Sequence, residues 1–175
     1  MLYRIPKKGT FLSSPLIEYD LLGFYNFKEE VEKQGKKLTI NFVSFQIKKE
    51  LNIKFSKIYP EENLVIIERV LLVNKLPILL ERTTIPYFYV EGITEEEVKY
   101  KPFKEIFENY NIIIKNGKKF IEPQISNHLI SKYINVEVGT PILMIDRYVY
   151  DLKDNLIAQS EWYVRGDKCR YYINQ

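Results

Sequence analysis

Apolar and polar residues alternate or run together in five segments that are typical of β-strands. The first, LTINFVSFQI at 38–47, loses its alternation at Val43-Ser44, which predicts a β-bulge there. The other four form two closely spaced pairs, at 64–73 with 77–85 and at 141–150 with 156–164. Each pair predicts a β-hairpin.

Helical spacing of apolar residues predicts short helices between these strands. A loop is expected at Asn116-Gly117. The predicted helices are a run opened by Asn26 or Phe27 and stopped by Gly35, then 47–57, then Glu95–Lys99 and Pro102–Tyr110, and a last one capped by Ser126 or Asn127.

The two halves of the chain repeat each other at an offset of 78 residues, which places the strand LVIIER on ILMIDR. Arg69 then falls on Arg147, and Glu68 falls on Asp146. We interpret this as two similar units, each made of a strand, a helix and a hairpin. The fold class predicted is α+β, with one mostly antiparallel sheet and helices beside it.

Arg69 lies in the middle of an apolar strand. Its guanidinium must therefore either pair with an anion or be buried at a cost in free energy. A turn centred on Lys75 places Val73 opposite Pro77 and Arg69 opposite Glu81. One interpretation is a partly buried cross-strand salt bridge that fixes strand register. The other is a polar anchor for an anionic or hydroxyl-bearing ligand, with Glu81 orienting Arg69 or accepting from the ligand.

Composition excludes several classes of protein. The 175 residues are 46% hydrophobic, with one cysteine and one histidine, so neither an internal disulfide nor a Cys/His zinc cluster is expected. Charges interrupt every apolar run before it could cross a membrane, and no signal segment opens the chain, which predicts a cytoplasmic protein. The net charge of +3 is modest. No phosphate loop, nucleophile elbow or dinucleotide fingerprint occurs, so no cofactor, metal or catalytic residue is predicted.

Five segments occur in an order that resembles the UTRA domain, the ligand-sensing half of GntR-type transcription regulators of the HutC subfamily. The resemblance runs from about Leu21 to Tyr172 and implies a chorismate-lyase-like antiparallel sheet flanked by helices, with a small-molecule effector in a cleft. It also implies a homodimer. The segments are ER ending at Arg69, ERTTIP, KPFKEIFENYNI, NVEVGTPILMIDRYVYD and SEWYVRGDKCRYY.

The opening YRIPKKGTFL looks like the last strand and wing of the winged helix-turn-helix that precedes UTRA domains. The resemblance therefore divides the chain into a remnant of that wing with its linker at 1–14 and the effector-binding domain at 15–175. It implies that DNA is contacted only through a winged-helix domain absent from this chain.

The resemblance also implies candidate effector contacts. Relatives that bind phosphosugars read Arg-x-Arg in the first hairpin strand; Arg69 keeps the first arginine and Leu71 replaces the second. Glu81 matches the acid of the returning strand. Five further positions align with relatives' phosphate or sugar contacts, namely Phe27, Lys28, Pro102, Ala158 and Val164.

Most of the phosphosugar set is altered, so that ligand is not predicted. Ser160 and Tyr163 are nearby polar substitutes. The candidate effector-binding residues are therefore Arg69, Glu81, Phe27, Lys28, Ser160 and Tyr163.

Arg147 and Asp167 are expected to be structural, with Asp167 paired to Arg165 or Arg147, and Arg147 returning opposite Gln159 or Ser160.

Three functions remain open from the sequence. The preferred one is the effector-binding and dimerisation domain of a transcription regulator. The alternative is a chorismate-lyase-like enzyme in which Arg69 holds a substrate carboxylate and Glu81 or Glu161 assists elimination. The third is a dimerisation module with a vestigial pocket.

Overall fold

The computed structural model describes residues 2–5, 9–12, 17–21, 27–49 and 55–173. A short 3₁₀ turn at Tyr87–Tyr89 follows the sixth strand. The strands and helices are β1 (Leu2–Ile5), β2 (Gly9–Leu12), β3 (Ile17–Asp20), α1 (Phe27–Lys33), β4 (Leu38–Lys48), α2 (Phe55–Ile58), β5 (Leu64–Val73), β6 (Leu76–Pro86), α3 (Glu95–Tyr100), α4 (Phe103–Asn109), β7 (Ile114–Ile125), α5 (His128–Ile134), β8 (Pro141–Asp151), β9 (Leu156–Arg165) and β10 (Cys169–Tyr172).

Six strands form one antiparallel sheet in the order β4-β5-β6-β9-β8-β7. The two hairpins β5–β6 and β8–β9 lie at the centre, and β6 pairs with β9 where they meet. The predicted α+β class and antiparallel sheet are confirmed. The strand order is compatible with two similar halves, and the internal repeat itself stays a prediction.

Helices cover both faces of this sheet, because apolar side chains of the central strands point to each face in turn. We call the face that carries Arg69 the cavity face. Helices α1, α3 and α4 pack there through Phe27, Val31, Val98, Phe103, Ile106 and Phe107. Helices α2 and α5 pack on the opposite face through Phe55, Ile130 and Ile134.

Two helix ends follow the predicted signals, Gly35 after α1 and Asn127 before α5, and the cap of α3 was not predicted. Gly35 has φ +69°, the left-handed conformation that lets the chain turn away after α1. Thr94 and Glu97 form a capping box at the start of α3. The Asn127 side chain caps α5 by accepting a hydrogen bond from the Ile130 amide at 2.9 Å. These caps fix where each helix begins against the sheet.

The β5–β6 hairpin brings Arg69 opposite Glu81, as predicted, but by a different register near the turn. Asn74 and Lys75 form a two-residue turn with φ of 49° and 69°, so Val73 pairs with Leu76. The predicted pairing of Val73 with Pro77 is therefore wrong. A bulge after Leu71 shifts the register by one residue and restores the expected pairing beyond it.

Two other element predictions are corrected. Residues 47 and 48 continue β4, where Ile47 pairs with Val65, so the helix predicted over 47–57 starts too early; 50–54 lie outside the described residues, and 55–58 are helical. Asn116-Gly117 lies inside β7, because pairing with β8 overrides the local turn preference. That glycine follows a bulge, and the bulge predicted at Val43-Ser44 in β4 is confirmed.

A parallel pair of short strands, β3 and β10, packs beside α1 and was not predicted. Ile17 and Tyr19 from β3 and Cys169 from β10 join the same buried cluster as Phe27. Within the described ranges, no helix is long and apolar enough to cross a membrane. The same residues contain no group of His, Cys, Asp or Glu side chains that could hold a metal ion.

Candidate functional site

Arg69 and Glu81 form a buried ion pair on the cavity face, each about 2% exposed. The Glu81 Oε2 atom accepts from Arg69 Nη2 at 2.6 Å and from Nε at 3.1 Å. The Arg69 Nη1 atom donates to the carbonyls of Val98 at 3.2 Å and Lys101 at 2.7 Å, at the C-terminal end of α3. A guanidinium satisfies carbonyls that a helix end leaves open. Arg69 therefore ties α3 to the sheet.

The second oxygen of Glu81 fixes a tryptophan from the neighbouring strand. Trp162 Nε1 donates to Glu81 Oε1 at 2.8 Å. The Arg147 guanidinium lies over the indole ring, 4.0 Å from its centroid, and Arg69 lies over the Phe103 ring at 3.9 Å. Both distances are typical of cation–π contacts. The two arginines are thus linked through one carboxylate and one indole.

A cavity of about 30 Å³ lies between these groups. This volume holds about one water molecule and excludes a metabolite unless the walls move. Its wall contains three cationic side chains and one acid. It is lined by Phe27, Lys28, Leu38, Ile40, Arg69, Leu71, Glu81, Pro102, Phe103, Arg147 and Trp162.

Helices α1 and α4 meet at the outer side of this cavity through two ion pairs. Lys28 Nζ lies 3.5 Å from Glu105 Oε1, and Lys104 Nζ lies 3.1 Å from Glu29 Oε1. A second cavity of about 200 Å³ runs along this contact and shares Lys28 and Pro102 with the inner one. We call this contact the α1–α4 seam.

Two titratable side chains near Arg147, Lys119 and Tyr19, have shifted pKa values, mainly because they are buried. Burial, and then the charge of Arg147, lower the pKa of Lys119 to about 8, while Asp20 opposes the shift. Burial raises the pKa of Tyr19, and Arg147 partly offsets that rise. In both groups burial is the larger cause of the pKa shift, and the Arg147 charge is the smaller one.

Four of the six predicted site residues meet at the cavity: Phe27, Lys28, Arg69 and Glu81. Ser160 lies on the cavity face but bonds to Thr83 Oγ1 at 2.7 Å and does not line the cavity. Tyr163 points to the opposite face, because side chains alternate along β9, and it packs with the α5 cluster. The structure therefore does not bring Tyr163 to the site.

Sequence reasoning missed Arg147, Trp162 and Phe103 as cavity residues. It placed Arg147 opposite Gln159 or Ser160, and the pairing with Ser160 is observed. The alternation of side chains along strands could have indicated Arg147 and Trp162. Arg147 pairs with Ser160, and Trp162 follows Ser160 by two residues on β9, so all three side chains lie on the same face. Asp167 pairs with Arg165 at 2.9 Å, as expected.

The arrangement does not build the elimination chemistry considered from the sequence. Glu81 is bonded to Arg69 and Trp162, and Glu161 neighbours Trp162 on β9, so it faces the other side of the sheet. Burial raises the pKa of the Cys169 thiol to about 12, which keeps it protonated and a poor nucleophile at neutral pH.

A larger open groove of about 560 Å³ lies at the other end of the molecule, near Phe88 and Leu152. Its carboxylate, Asp151, accepts hydrogen bonds from the Lys153 and Asn155 amides of its own loop at 2.8 Å each. The Asp151 carboxylate therefore shapes its own loop.

The fold is that of an effector domain from a transcription regulator. It matches the effector domain of PhnF from Mycobacterium smegmatis with a TM-score of 0.82 at 19% identity, covering 91% of this chain and 99% of that one. A structure of PhnF from the same organism matches with a TM-score of 0.88 at 19% identity, covering 99% of this chain and 77% of that one.

The family model described as "UTRA domain" matches residues 33–170. The chain belongs to the UTRA domain family, the effector-binding domain of GntR-family transcription regulators. It is 27% identical to the HTH-type transcriptional repressor NagR of Bacillus subtilis, over 96% of this chain and 70% of that protein. It is 26% identical to the probable fructoselysine utilization operon transcriptional repressor of Shigella flexneri, over 99% of this chain and 72% of that protein.

Proposed function

We propose that this domain senses a small anionic metabolite in the cavity around Arg69 and passes the result to an attached winged-helix DNA-binding unit. The observation that carries the proposal is the cavity itself, whose wall has three cationic side chains and one acid. Cationic side chains that converge on one cavity favour an anionic ligand, because charge-assisted hydrogen bonds to a carboxylate or phosphate are strong.

The proposed contacts are Arg69, Glu81, Phe27 and Lys28. Lys28 supplies a flexible positive charge at the seam, and Phe27 supplies an aromatic wall, 5.6 Å from the Trp162 ring centroid. Ser160 supports the sheet behind the site through Thr83. Tyr163 has no part in this proposal.

The regulatory step follows from the small size of the cavity. An effector must bind a form in which α1 lies further from α4, so it favours that form by its difference in affinity between the two. A typical coupling of about 1–3 kcal/mol changes DNA affinity between about 5-fold and 150-fold. We propose a cytoplasmic homodimer of the HutC subfamily, in which β1 and β2 are the wing that adjoins the DNA-binding unit.

A thermal-shift screen tests this function. The panel contains sugar phosphates, organic acids, amino acids and sugar–amino-acid adducts, the last because one relative is named for fructoselysine utilization. A ligand at 100 times its dissociation constant adds about 2.7 kcal/mol of stability. We expect an anionic compound to stabilise the protein and Lys28→Ala to weaken its effect.

Lys57→Ala is the matched control, since Lys57 is exposed on α2, on the opposite face of the sheet. Stabilisation by neutral compounds alone, or an equal response in the Lys28 and Lys57 variants, would contradict the proposal.

A further inference from the structure

Arg69 holds two backbone carbonyls where the chain passes from α3 to α4, at residues 100–103, which we call the α3–α4 corner. Its Nη1 atom donates to the Val98 carbonyl at 3.2 Å and to the Lys101 carbonyl at 2.7 Å. In a continuous helix the Val98 carbonyl would accept from the amide of residue 102, but that residue is a proline and has no N–H. Pro102 therefore ends α3 and leaves carbonyls for Arg69 to satisfy.

The two carbonyls differ in how readily they can leave Arg69. Val98 is fully buried, so its carbonyl would lose its hydrogen bond without gaining water. Lys101 is only half-buried, and Tyr100 before it is 69% exposed. The Lys101 carbonyl can therefore exchange Arg69 for water, which makes this contact the one that can open.

Movement of the Lys101 carbonyl would also change the cavity. Pro102 and Phe103 follow directly in the chain, and both line the cavity. The Phe103 ring covers the Arg69 guanidinium, 3.9 Å from its centroid. The ion pairs of the α1–α4 seam begin at the next residue of α4. An outward shift of the corner would thus release a donor, widen the cavity and reach the seam together.

An anion is the ligand that can compete with this carbonyl. A carboxylate or phosphate oxygen carries more negative charge than a carbonyl oxygen, so it binds a guanidinium more strongly in a site shielded from water. Lys28 lines the same cavity and adds a second positive charge.

We infer that the α3–α4 corner is a built-in competitor of the effector. In the closed form the Lys101 carbonyl holds the Arg69 donor, and an anionic effector binds by replacing this carbonyl and lifting the corner. The inference rests on the proposed function and supplies the regulation of that site.

Trp162 reports on Arg69, because the Glu81 carboxylate bonds both side chains and Trp162 is the only tryptophan in the chain. Sodium phosphate and, separately, sodium acetate are titrated at constant ionic strength while Trp162 fluorescence is followed. The midpoint of the saturable change is compared between the parent and variants of the corner.

Pro102→Ala should bind the anion more tightly than the parent. The substitution loosens the corner and supplies an N–H that competes with Arg69 for the Val98 carbonyl. When only opened molecules bind, the apparent midpoint falls as the opened fraction rises. We expect the midpoint to fall at least threefold.

Two further variants complete the test. Lys101→Gly loosens the same corner and removes a positive charge, so a lower midpoint cannot come from added attraction for the anion. We expect a fall of at least twofold. Pro123→Ala is the matched control, since Pro123 is exposed on β7, and it should titrate like the parent.

A midpoint in Pro102→Ala equal to or above that of the parent overturns the inference. If Pro102→Ala does not fold, the same result in Lys101→Gly overturns it. A parent that responds with a midpoint that neither variant lowers leaves the proposed anion site standing and removes only the competing role of the corner. The absence of a saturable response in the parent and both variants also overturns the inference, and the metabolite screen then decides the proposed function separately.

Discussion

Arg69 on β5 and Arg147 on β8 both lie on the cavity face of one sheet, yet they meet different partners. Across the ladder Arg69 faces Glu81, while Arg147 faces Ser160. The first arginine is neutralised at 2.6 Å and bonded to a helix end. The second lies on an aromatic ring. Arg69 therefore holds the end of α3 to the sheet through hydrogen bonds, whereas Arg147 packs on the indole ring of Trp162.

The largest effect is expected from breaking the buried pair of Arg69 and Glu81. Glu81→Gln removes the carboxylate that bonds both Arg69 and Trp162, and losing one partner of a buried pair typically costs about 3–5 kcal/mol. We expect a loss of this size in the free energy of unfolding, measured by urea denaturation. Glu122→Gln on the exposed face of β7 is the control and should unfold like the parent. A Glu81→Gln loss under about 1 kcal/mol would mean that the pair does not hold the hairpins together.

The next effect compares the two arginines directly. Arg69→Met leaves Glu81 buried without its cation, whereas Arg147→Met leaves a serine and a lysine across the ladder. We expect Arg69→Met to destabilise the fold by about 3–5 kcal/mol and Arg147→Met by less. The double variant Arg69→Met with Glu81→Gln should recover part of that loss, because it removes both charges. Equal losses of unfolding free energy in Arg69→Met and Arg147→Met would show that the two arginines contribute alike to stability.

The pH dependence of stability tests the environment of Lys119, which lies opposite Arg147 in the sheet. The pKa of Lys119 is lowered to about 8 in the folded protein, below the usual lysine value of about 10.4. Between those values the unfolded chain binds more protons, so this group makes stability rise with pH from about 8 to about 10. The raised pKa of Cys169 acts in the opposite direction.

The difference between parent and Lys119→Met isolates the lysine. We expect that difference in unfolding free energy to shift in favour of the parent as pH rises from 8 to 10, measured by urea denaturation at each pH. A difference that does not change with pH would show that Lys119 is not desolvated beside Arg147.

The smallest effect concerns the α1–α4 seam. Its ion pairs are partly exposed, so Lys104→Gln should cost only about 0.2–1 kcal/mol, and 1 M salt should reduce the loss. If the seam is the entrance, the same variant should speed effector association in stopped-flow measurements. Lys115→Gln is the control, since Lys115 lies on β7 and pairs with Asp154 of the β8–β9 loop. An association rate that Lys104→Gln leaves unchanged would place the entrance elsewhere.

The chain order, the hairpins and the Arg69–Glu81 pairing were predictable because each depends on local periodicity and turn residues. The Asn74-Lys75 turn displaced the register, and a bulge after Leu71 compensated for it. The turn and the bulge each shift the pairing by one residue and cancel each other, so the pattern of apolar residues reveals neither of them. The strand β7 was not among the five predicted segments, because Asn116-Gly117 has the local sequence of a turn and only pairing with β8 makes it a strand.

The site was half predictable for a similar reason. Arg69 and Glu81 are neighbours through one hairpin, whereas Trp162 reaches Glu81 across 81 residues of sequence. Side chains alternate along β9, so Tyr163 and Trp162 lie on opposite faces of the sheet. Which of the two faces the cavity is known only once β9 is paired in the sheet. The role of Trp162 as the bridge between the arginines depends on the β6–β9 ladder, which no local pattern specifies.

That ladder also sets an order of folding. The hairpins β5–β6 and β8–β9 close over short turns, but β6 and β9 must pair residues such as Thr83 and Ser160, which are 77 apart in sequence. Closing a long loop costs entropy before its contacts form, so the central ladder is expected to form after the hairpins. The Glu81–Trp162 bond belongs to this late step. Substitutions there should therefore mainly accelerate unfolding and leave the folding rate nearly unchanged.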